Sequence, residues 1–392
     1  MKHVVVIPPR DDGLYVTREI GDSIYNHSVH INPYNAVVYA TKLRQEGETV
    51  QIVDGQAQQL TPTETWKHIQ HINPDVATYF ISCFGVQEDL ACVDWKTPHK
   101  FVVSPIKTDT KELINLYPYP FSPEDFITDP EWFTGRADFS LLDIHRYSST
   151  FRINLSDFCP YECVFCCRCR MQAPQKPVED TVDEVIQLKK LGFSNFLLFG
   201  SEISIDKNAA FQLAEELTPL KVGFTTLDRV DLATAETYEA LAEAGCSKIC
   251  FGVESGSQHC LDFLKKHTTP EDAVAAFHTA RQSGIKTRAH FIIGIPCETW
   301  RDLFASIRLA WKLNPNELIV NMLYPSPSSP FYNWLISNHL LTIRDWKYYK
   351  HYHRRRLAYK HARYTDIGDL QTARNLLYAM MSPIKAARKL LH

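Results

Sequence analysis

The sequence predicts an α/β protein in two parts: an N-terminal Rossmann-like domain with a parallel sheet, then a partial (β/α)6 barrel of TIM type, followed by a helical C-terminal tail. Three observations predict it. Strand-length apolar runs alternate with helix-length segments from the start of the chain. The alternation breaks over a stretch rich in Pro, Asp and aromatics, then resumes as six βα repeats. The composition is that of a folded chain, 45% hydrophobic and 22% charged over 392 residues with a net charge of −3.

In the first part, Val4–Ile7 is a continuous apolar run of strand length. Asn35–Glu46 has helical periodicity and stops at Gly47, a favoured C-terminal cap. Val50–Val53 is a second strand, Pro62–Ile72 a helix with Thr61 as N-cap, Val76–Ile81 a third strand and Phe101–Val103 a fourth. Repeated β-α-β order implies parallel strands. No G-x-G-x-x-G follows the first strand, which leaves a dinucleotide role without support. Tyr117–Thr150 reads as a connector.

The barrel strands are expected at Phe151–Leu155, Phe196–Phe199, Lys221–Thr225, Lys248–Val253, Thr287–Ile293 and Leu318–Leu323. Helices are expected between them at Val182–Leu191, Asn208–Leu217, Ala233–Ala244, Pro270–Ser283 and Thr299–Leu313. The expected domains are 1–125, a connector at 126–150, the barrel at 151–329 and a basic helical extension at 330–392. From Arg344 onward there are twelve Lys or Arg against three Asp, interleaved with Trp346, Tyr348, Tyr349, Tyr352, Tyr359 and Tyr364. No apolar run reaches the ~18–20 residues that span a bilayer, and MKHVVVIPPR is too short for a secretory h-region. A cytoplasmic location without membrane contact is the expectation.

Eleven cysteines need a reason, and five of them (Cys159, Cys163, Cys166, Cys167, Cys169) fall within eleven residues. An uneven set in a large chain without a secretory signal argues for metal or redox chemistry over a disulfide scaffold. Most of the other six are expected to be small buried hydrophobes. Directly after the first barrel strand stands Cys159-Pro-Tyr-Glu-Cys163-Val-Phe-Cys166. Three thiolates spaced x3 then x2 reach three corners of a cube. A 4Fe–4S cluster ordinarily takes four, so holding it by three leaves one iron open. A zinc knuckle is the bland alternative, but no second C-x2-C or His pair follows at the right distance.

On these residues the chain resembles the radical S-adenosylmethionine (SAM) superfamily. The resemblance implies a 4Fe–4S cluster on Cys159, Cys163 and Cys166, with SAM chelating the open iron and cleaved on reduction to a 5′-deoxyadenosyl radical. Phe165 matches the aromatic that precedes the third cysteine. Gly200-Ser201-Glu202 is similar to the family's Gly-Gly-Glu, which implies that Glu202 binds the methionine amino group. Gly252-Val-Glu254-Ser255-Gly256 is similar to the segment near the ribose and the methionine end. Ile293-Gly294-Ile-Pro-Cys297-Glu-Thr resembles Gly-x-Pro-Gly-Glu-Thr with Cys in place of the second Gly, and Arg288 lies where an Arg pairs with the methionine carboxylate or, alternatively, forms a structural ion pair. Glu298-Thr299 reads as a helix start, and Cys167 and Cys169 are extra to the motif.

The first domain is similar to the cobalamin-binding domain found ahead of many such barrels. It is short between Ser82 and Phe101 and lacks the Asp-x-His-x-x-Gly pattern, since Asp143-Ile-His145 fails at the Gly. Three functions follow. The first is radical SAM chemistry with cobalamin-dependent methyl transfer to an unnamed substrate. The second is radical SAM oxidation, cyclisation or rearrangement without cobalamin. The third, of another class, is a metal-stabilised RNA-binding protein that uses the basic aromatic tail; the slightly negative net charge disfavours nucleic acid. A radical SAM enzyme also needs an electron donor such as flavodoxin or ferredoxin.

Overall fold

A computed structural model describes residues 1–9, 14–16, 24–26, 33–82, 89–104, 121–127, 129–133, 135–147, 149–156, 158–166, 176–326, 329–342, 359–361, 370 and 372–378. The chain divides into two compact units. One comprises Met1–Cys159, Met171–Leu197 and Asp345–Lys347; the other comprises Pro160–Arg170, Leu198–Arg344 and Tyr348–His392.

The first unit is built on β1 (Lys2–Ile7), β4 (Thr49–Asp54), β5 (Val76–Ser82) and β6 (His99–Ser104). These are parallel and ordered β4-β1-β5-β6. In chain order that is second, first, third, fourth, the doubly wound arrangement with its switch point between β1 and β5. A short antiparallel pair, β2 (Leu14–Val16) and β3 (Ile24–Asn26), stands between β1 and the first helix. Helix α1 (Tyr34–Gln45) buries Ala36, Tyr39, Ala40 and Leu43 against Val5, Ile7, Phe80 and Val102. It stops at Glu46 because Gly47 takes φ +88°, which L side chains resist. Helix α2 (Pro62–Ile72) starts at Thr61 through a complete capping box with Glu64, and Pro62 fills the first turn. Among its described residues the connector holds four single 3-10 turns, at Pro123–Asp125, Pro130–Phe133, Phe139–Leu141 and Ile144–Arg146.

One buried carboxylate fastens several parts of this unit. Glu184, on α3 (Val178–Lys190), accepts from Lys176 Nζ at 2.7 Å, Ala137 N at 2.6 Å and Tyr34 hydroxyl at 3.0 Å. It ties the start of α1 and the connector to α3.

Six parallel strands follow in sequential order: β7 (Thr150–Asn154), β8 (Asn195–Phe199), β9 (Gly223–Asp228), β10 (Cys246–Glu254), β11 (Lys286–Ile293) and β12 (Glu317–Met322). The division between the two units falls within β8. Helices α4 (Lys207–Leu217), α5 (Ala235–Glu243), α7 (Pro270–Gln282) and α8 (Trp300–Leu313) connect successive strands. Their N-caps are Asp206, Thr234, Thr269 and Thr299, each accepting from a backbone N–H in the first turn. Phe251 on β10 packs outward on Phe277 of α7, ring centroids 4.9 Å apart. The alternate residues of β10 and β11 (Cys250, Gly252, Arg288 and His290) therefore face the other side of the sheet.

The structure corrects several sequence expectations. The helix expected at Val182–Leu191 starts four residues earlier, at Val178. The third barrel strand runs Gly223–Asp228 rather than Lys221–Thr225. A 3-10 turn at Thr218–Leu220 ends with Lys221 at φ +51°, so the strand starts two residues later and carries Asp228 at its C-terminal end. An extra helix α6 (Gln258–Phe263) stands between β10 and α7; six residues are too few to show a helical period. Tyr359, expected among the tail's stacking aromatics, is buried, and its hydroxyl donates to Gly294 O. Helix α9 (Pro330–Ser337) opens the C-terminal extension. Trp346, Tyr348, Tyr349, Tyr352 and Tyr364 lie outside the described residues, as do Cys83, Cys167 and Cys169. Among the described residues, no helix is long and apolar enough to cross a membrane.

Candidate functional site

Within the second unit, residues 160–166 of the cysteine loop are held by backbone hydrogen bonds. Val164 N donates to Leu264 O at 3.0 Å, and Val164 O accepts from Phe331 N at 2.8 Å. Cys166 N donates to Cys163 O at 3.1 Å, which makes the x2 spacing a turn. Cys159 and Cys166 are half-buried, Cys163 is buried, and none of the three is in a disulfide. Phe165 packs against a buried cluster that includes Ile292, Ile295, Leu335 and Tyr359. Among the described residues, no three His, Cys, Asp or Glu side chains converge as they would on a single metal ion. A four-iron cube spreads its thiolates over separate corners.

Two buried cations face Cys163. Arg229 directly follows β9 and is 1% exposed. It stacks 3.7 Å above the Tyr161 ring, donates to Asp231 Oδ1 at 2.9 Å and to Lys266 O at 2.7 Å, and sets Nη1 3.9 Å from Cys163 Sγ. Lys266 follows α6 and donates to Glu254 Oε1 at 3.0 Å. Burial works against its charge, but Glu254 and Cys163 outweigh burial and hold the ammonium above the ordinary lysine range. Burial pushes the Cys163 thiol up, against the pull of Lys266 and Arg229.

The sequence-derived residues fall into two groups. Glu254 ends β10 at φ +64°, after a break in register between Gly252 and Glu254. A Cβ on Gly252 would stand 2.4 Å from Glu254 Oε1 and 2.8 Å from Lys266 Nζ, so a side chain there would push the ends of this pair aside. Glu202, half-buried after β8, acts on the same Lys266 charge. Gly200, at φ +120°, and the buried Ser201 precede it. Cys163, Glu202 and Glu254 therefore share one electrostatic neighbourhood. Ser255 is hydrogen-bonded to Ser306 Oγ at 3.2 Å. Ile293 ends β11, and Gly294, at φ +82°, donates to Glu298 Oε2 at 2.8 Å.

Arg288 has a salt bridge of its own. It is the third residue of β11, five before Ile293, and its Nε donates to Glu317 Oε2 at 2.5 Å. Lys248 donates to the same carboxylate at 2.6 Å. The carboxylate partner anticipated for Arg288 is supplied by the protein itself. Glu298-Thr299 is the expected helix start, with Thr299 and Asp302 forming a capping box.

The sequence reading missed Arg229, Lys266 and Asp228. Placing the end of the third strand at Thr225 put Asp228-Arg229 in a loop, whereas active-site residues of such barrels sit at strand C-termini. Asp228 accepts from Ser204 Oγ at 2.5 Å, Tyr238 hydroxyl at 2.9 Å and Arg229 N at 2.9 Å. Burial nevertheless pushes its carboxyl up from 3.8 to about 7. A carboxyl whose folded pKa is raised contributes stability below its unfolded pKa and loses it as pH climbs through the folded one. The urea midpoint is expected to fall between pH 4 and pH 8, by as much as about 4 kcal/mol of stability. Asp228→Asn is expected to flatten that slope, and an unchanged slope in the variant would disprove the assignment.

Residues 153–310 match the radical SAM superfamily. Those residues form a radical SAM domain. The radical SAM domain spans β7 through most of α8, so the cysteine loop, Glu202, Arg229, Glu254, Lys266, Arg288 and Gly294 all lie inside it. Similar curated proteins include an uncharacterised methyltransferase of Pyrococcus horikoshii, 28% identical over 49% of this chain and 43% of the relative. Another is the anaerobic magnesium-protoporphyrin IX monomethyl ester cyclase of Cereibacter sphaeroides, 29% identical over 46% of this chain and 31% of the relative. The chain thus spans less than half the length of these relatives. Among solved structures, the radical SAM methyltransferase TsrM of Kitasatospora setae aligns at TM-score 0.70 with 15% identity, covering 86% of this chain and 76% of that one. The cobalamin-dependent radical SAM enzyme OxsB aligns at 0.71 with 15% identity, covering 96% and 66%. At that identity the likeness establishes the fold, which in both directions extends beyond the radical SAM domain itself.

Proposed function

We propose that this chain is a radical SAM enzyme in which Cys159, Cys163 and Cys166 hold a 4Fe–4S cluster and SAM binds beside it. The observation that carries the reading is Cys163 buried beside Arg229 and Lys266, at the loop where the family places its cluster. When bound, the cluster and SAM supply the 5′-deoxyadenosyl radical. The chain's own residues supply charge balance and orientation. Arg229 and Lys266 offset the negative charge of thiolates and cluster. Glu254, Glu202 and Ser255 offer acceptors for the amino and hydroxyl groups of SAM. Arg288 and Lys266 are the two cations proposed for the methionine carboxylate, each of them paired in the free protein with a glutamate, Glu317 and Glu254. A flavodoxin or ferredoxin is the proposed electron donor.

The first unit is proposed to bind cobalamin and pass a methyl group to the substrate. Its strand order supports this, since doubly wound sheets bind ligands at the carboxyl ends beside the switch point. The described residues at that end fit a ligand-facing turn: Asp54 accepts from Gln56 N and Ala57 N, and from the Tyr147 hydroxyl at 2.8 Å. Gly55 lies so close to Pro9 that a Cβ would meet its Cδ at 2.8 Å.

Anaerobic reconstitution with iron and sulfide tests the proposal. About four irons per chain are expected, with an electron-spin resonance signal that shifts when SAM is added. Zinc in place of iron, or a signal blind to SAM, would overturn it. Cobalamin retained through anaerobic purification separates methyl transfer from a cobalamin-independent radical reaction.

A further inference from the structure

The carboxylate of Asp228 is buried behind the site, and neither the cysteine loop nor the SAM contacts proposed above give it a task. Asp228 ends β9 and is 2% exposed. Three donors from three places converge on it. Arg229 N donates to Oδ1 at 2.9 Å. The Ser204 hydroxyl, from the loop after β8, and the Tyr238 hydroxyl, from α5, both donate to Oδ2, at 2.5 and 2.9 Å. An acceptor-only group with two oxygens meets all three donors at once.

The Ser204 contact is one of two stitches that fix a short turn. Ile205 N donates to Glu202 O at 3.2 Å, which closes residues 202–205 on themselves. Ile203 N donates to Leu227 O at 3.0 Å, and Ser204 Oγ donates to Asp228. Consecutive residues of the turn are thus pinned to consecutive residues at the end of β9. Ser204 is buried, which shields its contact from water. Glu202 heads this turn, and its negative charge acts on Asp228. On the other side of the carboxylate stands Arg229, whose guanidinium faces Cys163.

Given the radical SAM reading on which this rests, we propose that Asp228 is a positioning residue for SAM, holding Glu202, through Ser204, where the methionine amino group binds. A half-buried glutamate at the head of a loose loop would have to be ordered when SAM arrives. A turn pinned at two points is ordered beforehand, and that part of the entropic cost is removed from binding. Asp228 acts at a distance from SAM, by fixing the segment that carries the acceptor. The Tyr238 hydroxyl reaches the same oxygen from α5, outside the turn. Its loss leaves both stitches of the turn in place, so it serves as an internal control.

The SAM affinity of the full chain, reconstituted anaerobically and measured by equilibrium dialysis, tests it. Ser204→Ala is expected to raise the dissociation constant about tenfold, the weight of one hydrogen bond to a charged group. Asp228→Ala is expected to raise it at least as much. Asp228→Asn is expected to restore most of the affinity, because its amide oxygen still accepts from Arg229 N and both hydroxyls can turn to accept from the amide nitrogen. Tyr238→Phe is expected to leave the constant unchanged. In a Glu202→Ala background the Ser204→Ala penalty is expected to vanish, since the group being positioned is gone; a merely structural Ser204 would carry the same penalty with or without Glu202. Unchanged affinity in Ser204→Ala, a penalty that persists without Glu202, or an equal loss in Tyr238→Phe would overturn the proposal and leave the radical SAM reading intact. A wild-type chain that takes up iron and binds no SAM would overturn that reading, and the proposal with it. Ser204→Ala removes a single oxygen, so its arm decides the matter even if Asp228→Ala misfolds.

Discussion

Replacing any one of Cys159, Cys163 or Cys166 with alanine is expected to abolish SAM cleavage, read as 5′-deoxyadenosine released from the reconstituted, reduced protein. The loss should be total within detection. A cluster with only two protein thiolates lacks the three-point support that keeps one iron open. Iron content should fall with activity. The other cysteines set the contrast. Cys92, Cys246 and Cys250 are buried away from the loop's numbering and behave as small hydrophobes, so Cys250→Ala should keep most of the cleavage. Activity surviving in all three loop variants would sink the enzyme assignment.

Lys266→Met is expected to be the most damaging single change outside the cysteines. Lys266 and Glu254 expose only 6% and 8% of their side chains. Removing one partner of a buried pair leaves an uncompensated charge, at a cost of about 3–5 kcal/mol. Urea unfolding of the full chain reads this directly. Glu254→Gln combined with Lys266→Met should recover much of that stability, because no lone charge remains. SAM binding is not expected to recover in the double variant, since the two charges proposed to meet SAM are gone. A single-variant cost below about 1 kcal/mol would mean the pair is solvated, contrary to its burial.

These two predictions mark what the sequence made legible and what it did not. The cysteine motif is contiguous, so its chemistry is visible in eight residues. Helix limits were equally local: Thr61 with Glu64, and Thr299 with Asp302, announce their caps within four residues. The parallel order of the sheets followed from alternation alone. Lys266 was invisible because its meaning lies in Glu254 and Cys163, which topology and not sequence proximity brings to it. Arg229 was hidden by a strand limit set three residues short. Tyr359, surrounded by basic residues, looked like part of a wet aromatic surface; its burial depends on carbonyls some sixty-five positions earlier. Local signals are carried by neighbours in the chain. Site electrostatics are carried by neighbours in space.

The anchoring of Tyr359 also bears on the order in which the chain can fold. Its hydroxyl answers Gly294 O, His361 Nε2 is 2.7 Å from Ile295 O, and Leu370 rests on Gly294. The turn that ends β11 is therefore completed by segments synthesised long after it. During synthesis, an emerging chain holds every barrel strand before it holds the residues that finish this turn. Until then Leu323, Phe331 and Leu335 lack the cover that Tyr359 provides, and apolar surface exposed in this way invites association between unfinished chains. A message truncated just before Tyr359 would yield a polypeptide with all its strands and an unsealed seam, prone to aggregation and early degradation.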